Sequence, residues 1–562
     1  MDKYNQWLSF PLLDTKLKTE LLLMSEKDRY DAFYTNLTFG TAGMRGLLGP
    51  GSNRMNIYTI RKANIGLAEF IRKRGPEACR RGVAIAYDNR FMSKEFAYES
   101  ARVLAMADIR SYVFDSLRPT PELSFAVRYL HCFSGIVITA SHNPKEYNGY
   151  KIYDENGCQM IPEYVAEIVP YIEAIADELQ IAVRLTDQQE KLITTIGAEV
   201  DKPYYREVLS IQQNPQLDKR DVKIIFTPQH GTALKAVEAV FDAAGYHYIN
   251  VAEQCSPDPA FSNTKTPNPE QPEAYDLALQ YAKRYDADLV LSTDPDADRI
   301  GIAVKQHGSY QLMTGNQTGA VLLEYVFSQY RQHQKMPAHP IMFNTIVTSD
   351  LGEKVADKYG VKTEKTLTGF KFIGDRIAHY EKNQKYDFVF GYEESYGYLL
   401  KPFVRDKDAV QACLIIAEAA VYYRQQGKTL WDVLLSLYDE LGWYEESQVS
   451  ISGQGADGAI MIQNIMNSLR ANPPLQINGT KVIRREDYLC STADADGQQQ
   501  QLCLPQADVL KYFLADGCWI AVRPSGTEPK CKIYYCICGN NAAELKQRDQ
   551  AYKTAFAQLI KK

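Results

Sequence analysis

The stretch GIVITASHNPKEYNGYKIY, Gly135–Tyr153, decides how the N-terminal part of the chain is read. Its start, Ile136-Val137-Ile138-Thr139, is β-branched and short, which predicts a buried strand. Asn143-Pro144 then stops regular structure, because proline lacks an N–H and disfavours the helical region for its predecessor. Ser141 is therefore expected on a loop at the carboxyl end of a strand, followed by a cluster of polar, loop-forming residues. In open α/β sheets that end of the strands is where ligands bind. Turn chemistry alone also puts serines there, so this stretch by itself leaves the role of Ser141 open.

Working outward, the same alternation of short apolar strands with amphipathic segments recurs three times. The first includes strands at 83–87, 111–114 and 135–139 with a helix at 94–109. The second has strands at 222–227, 246–252 and 288–292, with helices at 231–244 and near 272–285. The third has strands at 341–346 and 387–390, with helices at 349–360 and 370–382. Such alternation predicts α/β layers with parallel or mixed sheets. The tail, with strand-like TKVIRREDYLCST, GCWIAVRPS and CKIYYCIC and a last helix near 542–560, predicts a smaller α+β domain. The expected boundaries give four domains: 1–200, 201–314, 315–440 and 441–562.

A chain of 562 residues, 45% hydrophobic and 23% charged, has material for several cores. The formal net charge of −6 gives no global basic field for nucleic acid or an anionic membrane. The 11 cysteines contain no C-x-x-C pair, and the N-terminus lacks a basic region followed by an apolar one. Together with the absence of any 18-residue apolar run, this predicts a cytoplasmic protein.

Three further motifs carry chemistry. LVLSTDPDADRIGIAV (289–304) places Asp294, Asp296 and Asp298 two residues apart between apolar runs. Carboxylates so crowded repel one another unless a hard cation neutralises them, and oxygen-only ligation suits Mg²⁺, Mn²⁺ or Ca²⁺. A calcium EF-hand is excluded, because Arg299 and Lys305 stand where that loop needs Gly and Glu. FVFGYEESYGYLL (388–400) packs Glu393, Glu394 and Ser395 between glycines and tyrosines, as acceptors for a polyol. VRPSGTEPKCKIYY (522–535) supplies Arg523, Ser525, Gly526, Thr527 and Lys530, a phosphate cradle by composition. The glycine-rich FGTAGMRGLLGPG (39–51) around Arg45 fits neither a dinucleotide fingerprint nor a P-loop. An anchored metal, a serine hydroxyl, a polyol site and a phosphate site in one chain imply phosphoryl transfer.

Taken in order, TASHNP, DPDADR, GYEES and RPSGTEP resemble the phosphoserine, magnesium, sugar-specificity and phosphate-binding loops of the α-D-phosphohexomutase superfamily. The resemblance covers nearly the whole chain. GTAGMRG, DPDADRIG and GYEESYGY are most similar to the branch containing phosphoglucomutases and phosphopentomutases. It implies four domains around a central active-site cleft, with the fourth closing on binding. It also implies one Mg²⁺ on Ser141, Asp294, Asp296 and Asp298, small-molecule sugar phosphates as partners, and glucose 1,6-bisphosphate as intermediate and activator. By the resemblance Ser141 carries the phosphoryl group, Lys151 is the general acid/base, and Arg45 and Arg299 lie near the transferred phosphate. His142 either shares the proton work or positions a neighbour. Glu393 and Ser395 would hold sugar hydroxyls, Lys371 would add a substrate contact, and Arg523, Ser525, Gly526, Thr527 and Lys530 would hold the other phosphate. The implied reaction joins glucose 1-phosphate and glucose 6-phosphate; the alternatives are a ribose or deoxyribose 1-phosphate or another hexose phosphate. A free lysine titrates near 10.4, so proton transfer by Lys151 is expected to need a lowered pKa.

Overall fold

The computed structural model describes residues 3–40, 43–453, 455–525 and 530–560. Two compact units divide the chain, one of Met1–Gly315 with Phe370–Thr429 and the other of Asn316–Gly369 with Leu430–Lys562.

In the first unit, a six-stranded mixed sheet runs in the order Met44–Leu47, Tyr147–Tyr153, Ser134–Ile138, Val83–Tyr87, Ser111–Phe114, Ile193–Ile196. The last four are mutually parallel, and Tyr147–Tyr153 pairs antiparallel with both of its neighbours. Helix Ile57–Lys73 begins at a capping box between Asn56 and Thr59. Its Ile60, Ala63, Leu67 and Ile71, at helical spacing, join Ile85, Ile136 and Ile168 in one core. A second sheet has the order Ser309–Met313, Ile300–Gln306, Leu289–Thr293, Ile224–Thr227, Tyr248–Asn250. The hairpin Asp387–Glu393 with Gly397–Leu399 completes the strands of this unit.

In the second unit, Pro340–Thr345 and Lys362–Thr366 pair in parallel. The remaining strands form one antiparallel sheet whose neighbours include Trp443–Ser452, Lys530–Gly539, Trp519–Pro524, Leu510–Leu514 and Thr480–Asp487. Met466 of helix Gly455–Ala471, and Tyr552 and Phe556 of helix Ala542–Leu559, pack with Tyr512, Ile520 and Ile533 of this sheet.

The α/β alternation and the α+β tail are as the sequence predicts, with local differences. Residues 147–153, read as part of a loop-forming cluster, are a strand. Its polar residues misled because the strand is buried on both faces, and one face meets polar groups rather than core. The segment 246–252 shortens to Tyr248–Asn250, and 272–285 starts as a 3₁₀ turn before helix Asp276–Tyr285.

Three helices precede the first sheet: Lys3–Ser9, Thr15–Leu23 and Glu26–Phe33. Trp7, 1% exposed, meets Tyr58 and Phe33 edge-on at ring separations of 5.4 and 5.8 Å. Asp14 and Ser25 cap the second and third helices. Trp7 packs there in one cluster with Leu13, Leu21, Tyr58 and Leu179. Trp7→Ala is expected to cost about 3–5 kcal/mol of that packing. Limited proteolysis should then cut within residues 3–33 well before the sheets are attacked.

Candidate active site

Ser141 follows strand Ser134–Ile138 in a left-handed conformation, φ +51°, which a residue with a Cβ rarely adopts. The loop is over-determined. The Ser141 N–H donates to Thr139 Oγ1 at 2.8 Å. The buried Arg90 guanidinium donates to the carbonyls of Ser141, Asn143, Pro144 and Tyr147, the last two at 2.9 and 3.0 Å. Asp88, also buried, stands 3.5 Å from Arg90 and accepts from Ser93 Oγ at 2.7 Å. Arg45, on strand Met44–Leu47, donates to Asn143 Oδ1 at 2.8 Å, which puts it on the same loop.

The three aspartates occupy the turn between antiparallel strands Leu289–Thr293 and Ile300–Gln306. All are buried, and one carboxylate oxygen of each lies within 4.8 Å of the others. Asp294 Oδ1 accepts the N–H groups of Asp298 and Arg299, at 3.1 and 3.0 Å, and Oδ2 accepts from Ser141 Oγ at 2.7 Å. Asp296 Oδ2 accepts from Lys151 Nζ at 3.1 Å and Thr120 Oγ1 at 2.9 Å. Asp298 Oδ2 is 3.0 Å from Lys407 Nζ and 3.6 Å from Lys151 Nζ. The second oxygens of Asp296 and Asp298 are buried without a hydrogen-bond donor. Buried carboxylate oxygens left without donors are costly, and an all-oxygen set is what a hard divalent cation takes. The donor set therefore fits Mg²⁺.

Strand geometry sorts the residues around this cluster. Along Tyr147–Tyr153, Tyr150 and Ile152 enter the hydrophobic core, while Lys151 faces the aspartates and the Tyr153 hydroxyl donates to Asp406 at 2.7 Å. Lys407 also contacts Asp406, at 3.1 Å. Gly397 leaves room for the Lys407 stem, since a Cβ there would lie 2.0 Å from Lys407 Cδ. Glu393 ends its strand buried, close enough that its charge strengthens proton binding by both Lys407 and Arg299. Arg299 pairs with Glu270. The Tyr396 carbonyl accepts from the Ile300 N–H at 3.0 Å, tying the glutamate hairpin to the aspartate hairpin. Ser395 sits partly exposed in that turn. Lys371 lies on helix Phe370–Asn383, 9% exposed, with Nζ 5.2 Å from the Phe372 ring centre.

The electrostatics follow. Burial, then the charges of Asp296 and Asp298, raise the Asp294 carboxyl well above its usual range. Burial acts the same way on Asp296, but Lys151 and its hydrogen bonds outweigh it and hold that group low. His142, with Nδ1 3.1 Å from Ser141 Oγ, is pushed far down by burial and by Arg299 and Arg45, so it is neutral. For Lys151 the expected lowering is not what this arrangement gives. Burial pulls it down, yet Asp296 and Asp298 pull harder the other way, and its pKa is raised.

In the first unit the fold thus brings together Ser141, His142, Arg45, Lys151, the three aspartates, Arg299 and Glu393. Arg90, Thr120, Asp406 and Lys407 were not foreseen. The charged run RDKD (405–408) after the glutamate hairpin is the signal that would have found the last two. In the second unit, Arg523 and Lys530 lie on the paired strands Trp519–Pro524 and Lys530–Gly539, and the Ser525 N–H donates to the Lys530 carbonyl at 2.7 Å. Gly526 and Thr527 lie outside the described residues.

Comparison with known proteins gives matches along most of the chain. Residues 36–178, 202–308 and 314–441 match the phosphoglucomutase/phosphomannomutase alpha/beta/alpha domains I, II and III, and 476–552 match its C-terminal domain. A phosphoglucomutase of Staphylococcus epidermidis is 38% identical over 539 residues, covering 95% of this chain and 96% of that protein. One of Staphylococcus aureus is 40% identical over 518 residues, covering 91% and 92%. Among solved structures, the phosphoglucomutase parafusin of Paramecium superposes with a TM-score of 0.66 at 20% identity, over 94% of each chain, a likeness of fold.

If the aspartate turn holds a divalent cation, Mg²⁺ at one hundred times its dissociation constant stabilises the chain by about 2.7 kcal/mol. Thermal unfolding with and without Mg²⁺ should show that upward shift, and Asp296→Asn should abolish it.

Proposed function

Because the chain belongs to the phosphoglucomutase/phosphomannomutase family, we propose that it interconverts glucose 1-phosphate and glucose 6-phosphate through a phosphoserine at Ser141 and glucose 1,6-bisphosphate. The observation that carries this reading is the 2.7 Å contact of Ser141 Oγ with Asp294, at the edge of a buried carboxylate cluster that also holds Lys151.

In the forward half-reaction the bond between Ser141 Oγ and phosphorus breaks as one forms between phosphorus and a free sugar hydroxyl oxygen. The sugar hydroxyl gives up a proton and Oγ gains one. Lys151, held protonated beside two aspartates, suits protonation of a leaving oxygen, and neutral His142 suits acceptance. A divalent cation held by Asp294, Asp296 and Asp298 would supply positive charge beside the transferring group. Arg45 and Arg299 add fixed positive charge near Ser141, while Glu393 and Ser395 offer acceptors to sugar hydroxyls. Arg523, Ser525, Gly526, Thr527 and Lys530 are the proposed grip on the second phosphate. The four proposed domains are 1–200, 201–314, 315–440 and 441–562. Eleven free thiols support a reducing compartment, and we assign the protein to the cytoplasm.

Coupled assays on glucose 1-phosphate, ribose 1-phosphate, mannose 1-phosphate and glucosamine 1-phosphate, with Mg²⁺ and trace glucose 1,6-bisphosphate, test the substrate. The highest kcat/KM is expected on glucose 1-phosphate; a higher value on ribose 1-phosphate would make the chain a phosphopentomutase. Ser141→Ala should lower kcat by at least about 10³-fold and remove an added mass of about 80 Da from the phosphorylated protein. Full activity in that variant rules out the phosphoserine route.

A further inference from the structure

Outside the site, one pair of side chains in the second unit has unused chemistry. Cys518 precedes strand Trp519–Pro524, and Cys538 lies near the end of its antiparallel partner Lys530–Gly539. They stand at the base of the hairpin whose other end carries Arg523 and Ser525. Their sulfurs are 3.8 Å apart, and the Cys538 N–H donates to Cys518 Sγ at 3.4 Å. Arg548, on helix Ala542–Leu559, donates from Nη2 to Cys518 Sγ at 3.3 Å. Cys518 is buried, whereas Cys538 is partly exposed. Gly517, φ +83°, keeps room for the thiol, since a Cβ there would come within 3.1 Å of Cys538 Sγ.

A metal reading is not supported. Among the described residues, the one cluster of three acidic, histidine or cysteine ligands able to hold an ion is Asp294, Asp296 and Asp298. What the pair has is the arrangement of an attacking and a resolving thiol. Either thiol can donate across the sulfur contact, Cys538 Sγ also donates to the Asp516 carbonyl at 3.1 Å, and the Cys518 contact and the Arg548 charge lower the Cys538 thiol against the opposing effect of burial. Cys518 moves the other way. Cys538 is the more accessible sulfur, the one a peroxide reaches first, with Cys518 placed to resolve it.

We propose that Cys518 and Cys538 are a redox modification site, closed to a reversible disulfide by hydrogen peroxide. The Cys538 thiolate attacks one peroxide oxygen; the O–O bond breaks, an S–O bond forms, and hydroxide leaves and is protonated to water. Cys518 Sγ then attacks the Cys538 sulfenic sulfur. An S–S bond forms, the S–O bond breaks, and the departing hydroxide takes the Cys518 proton as a second water. Two thiols lose two electrons together, and one peroxide becomes two waters. The sulfurs must close from 3.8 Å to about 2.05 Å.

The test treats the reduced full chain with one equivalent of hydrogen peroxide, alkylates remaining thiols with iodoacetamide and maps peptides by mass. A Cys518–Cys538 linked peptide is expected, about 2 Da lighter than its reduced parts and reversed by dithiothreitol. The exposed Cys490 and Cys503 should be oxidised on the order of tenfold more slowly. Oxidation of Cys490 or Cys503 ahead of Cys538, with Cys518 and Cys538 both alkylated, overturns the proposal. In Cys518→Ala, Cys538 should stop at the sulfenic acid and form a dimedone adduct; absence of that adduct in the folded variant also overturns it. Should the variant not fold, the wild-type map decides alone.

Discussion

Three carboxylates buried in one five-residue turn impose the main constraint on the first unit. Taking each ionised group out of water costs several kcal/mol unless hydrogen bonds and opposite charges compensate it. Compensation here comes from distant parts of the sequence. Thr120 opens a helix, Ser141 lies on the loop after a strand, Lys151 lies within an antiparallel strand, and Lys407 precedes another helix. Each reaches an aspartate oxygen at 2.7 to 3.1 Å. The cluster is therefore both the place where chemistry is proposed and a point where the two sheets and the glutamate hairpin of this unit are held together.

The alternation of strand Tyr147–Tyr153 makes this possible. Successive side chains point to opposite faces, so one segment buries Tyr150 and Ile152 in hydrocarbon and delivers Lys151 and Tyr153 to charged partners. The glutamate hairpin works similarly. Gly397 leaves space for the Lys407 stem, so that its ammonium reaches Asp298 and Asp406.

Much of this was legible in the sequence, and the exceptions have physical causes. Ile136–Thr139 and Leu289–Ser292 read as strands because β-branched and aliphatic runs of that length bury well. The aspartate spacing read as a cation site because like charges so close demand neutralisation. Lys151 and Asn148 hid their strand, since polar residues in a two-sided buried strand break the pattern that marks one. Arg90 and Lys407 were invisible for another reason. Their partners at the site, the serine-loop carbonyls for Arg90 and Asp298 for Lys407, lie 51 or more positions away, and no local spacing encodes such contacts. The direction of the Lys151 shift likewise depends on two aspartates that only the fold brings close.

Arg90 also determines what the serine loop is free to do. Its guanidinium grips four main-chain carbonyls and leaves the Ser141 hydroxyl out of the scaffold. The carbonyl contacts that shape the loop therefore do not involve the hydroxyl, which donates instead to Asp294. A group attached at Oγ replaces the hydrogen bond to Asp294 but leaves the four Arg90 contacts to the main chain in place, so the loop keeps its backbone grip from one cycle to the next.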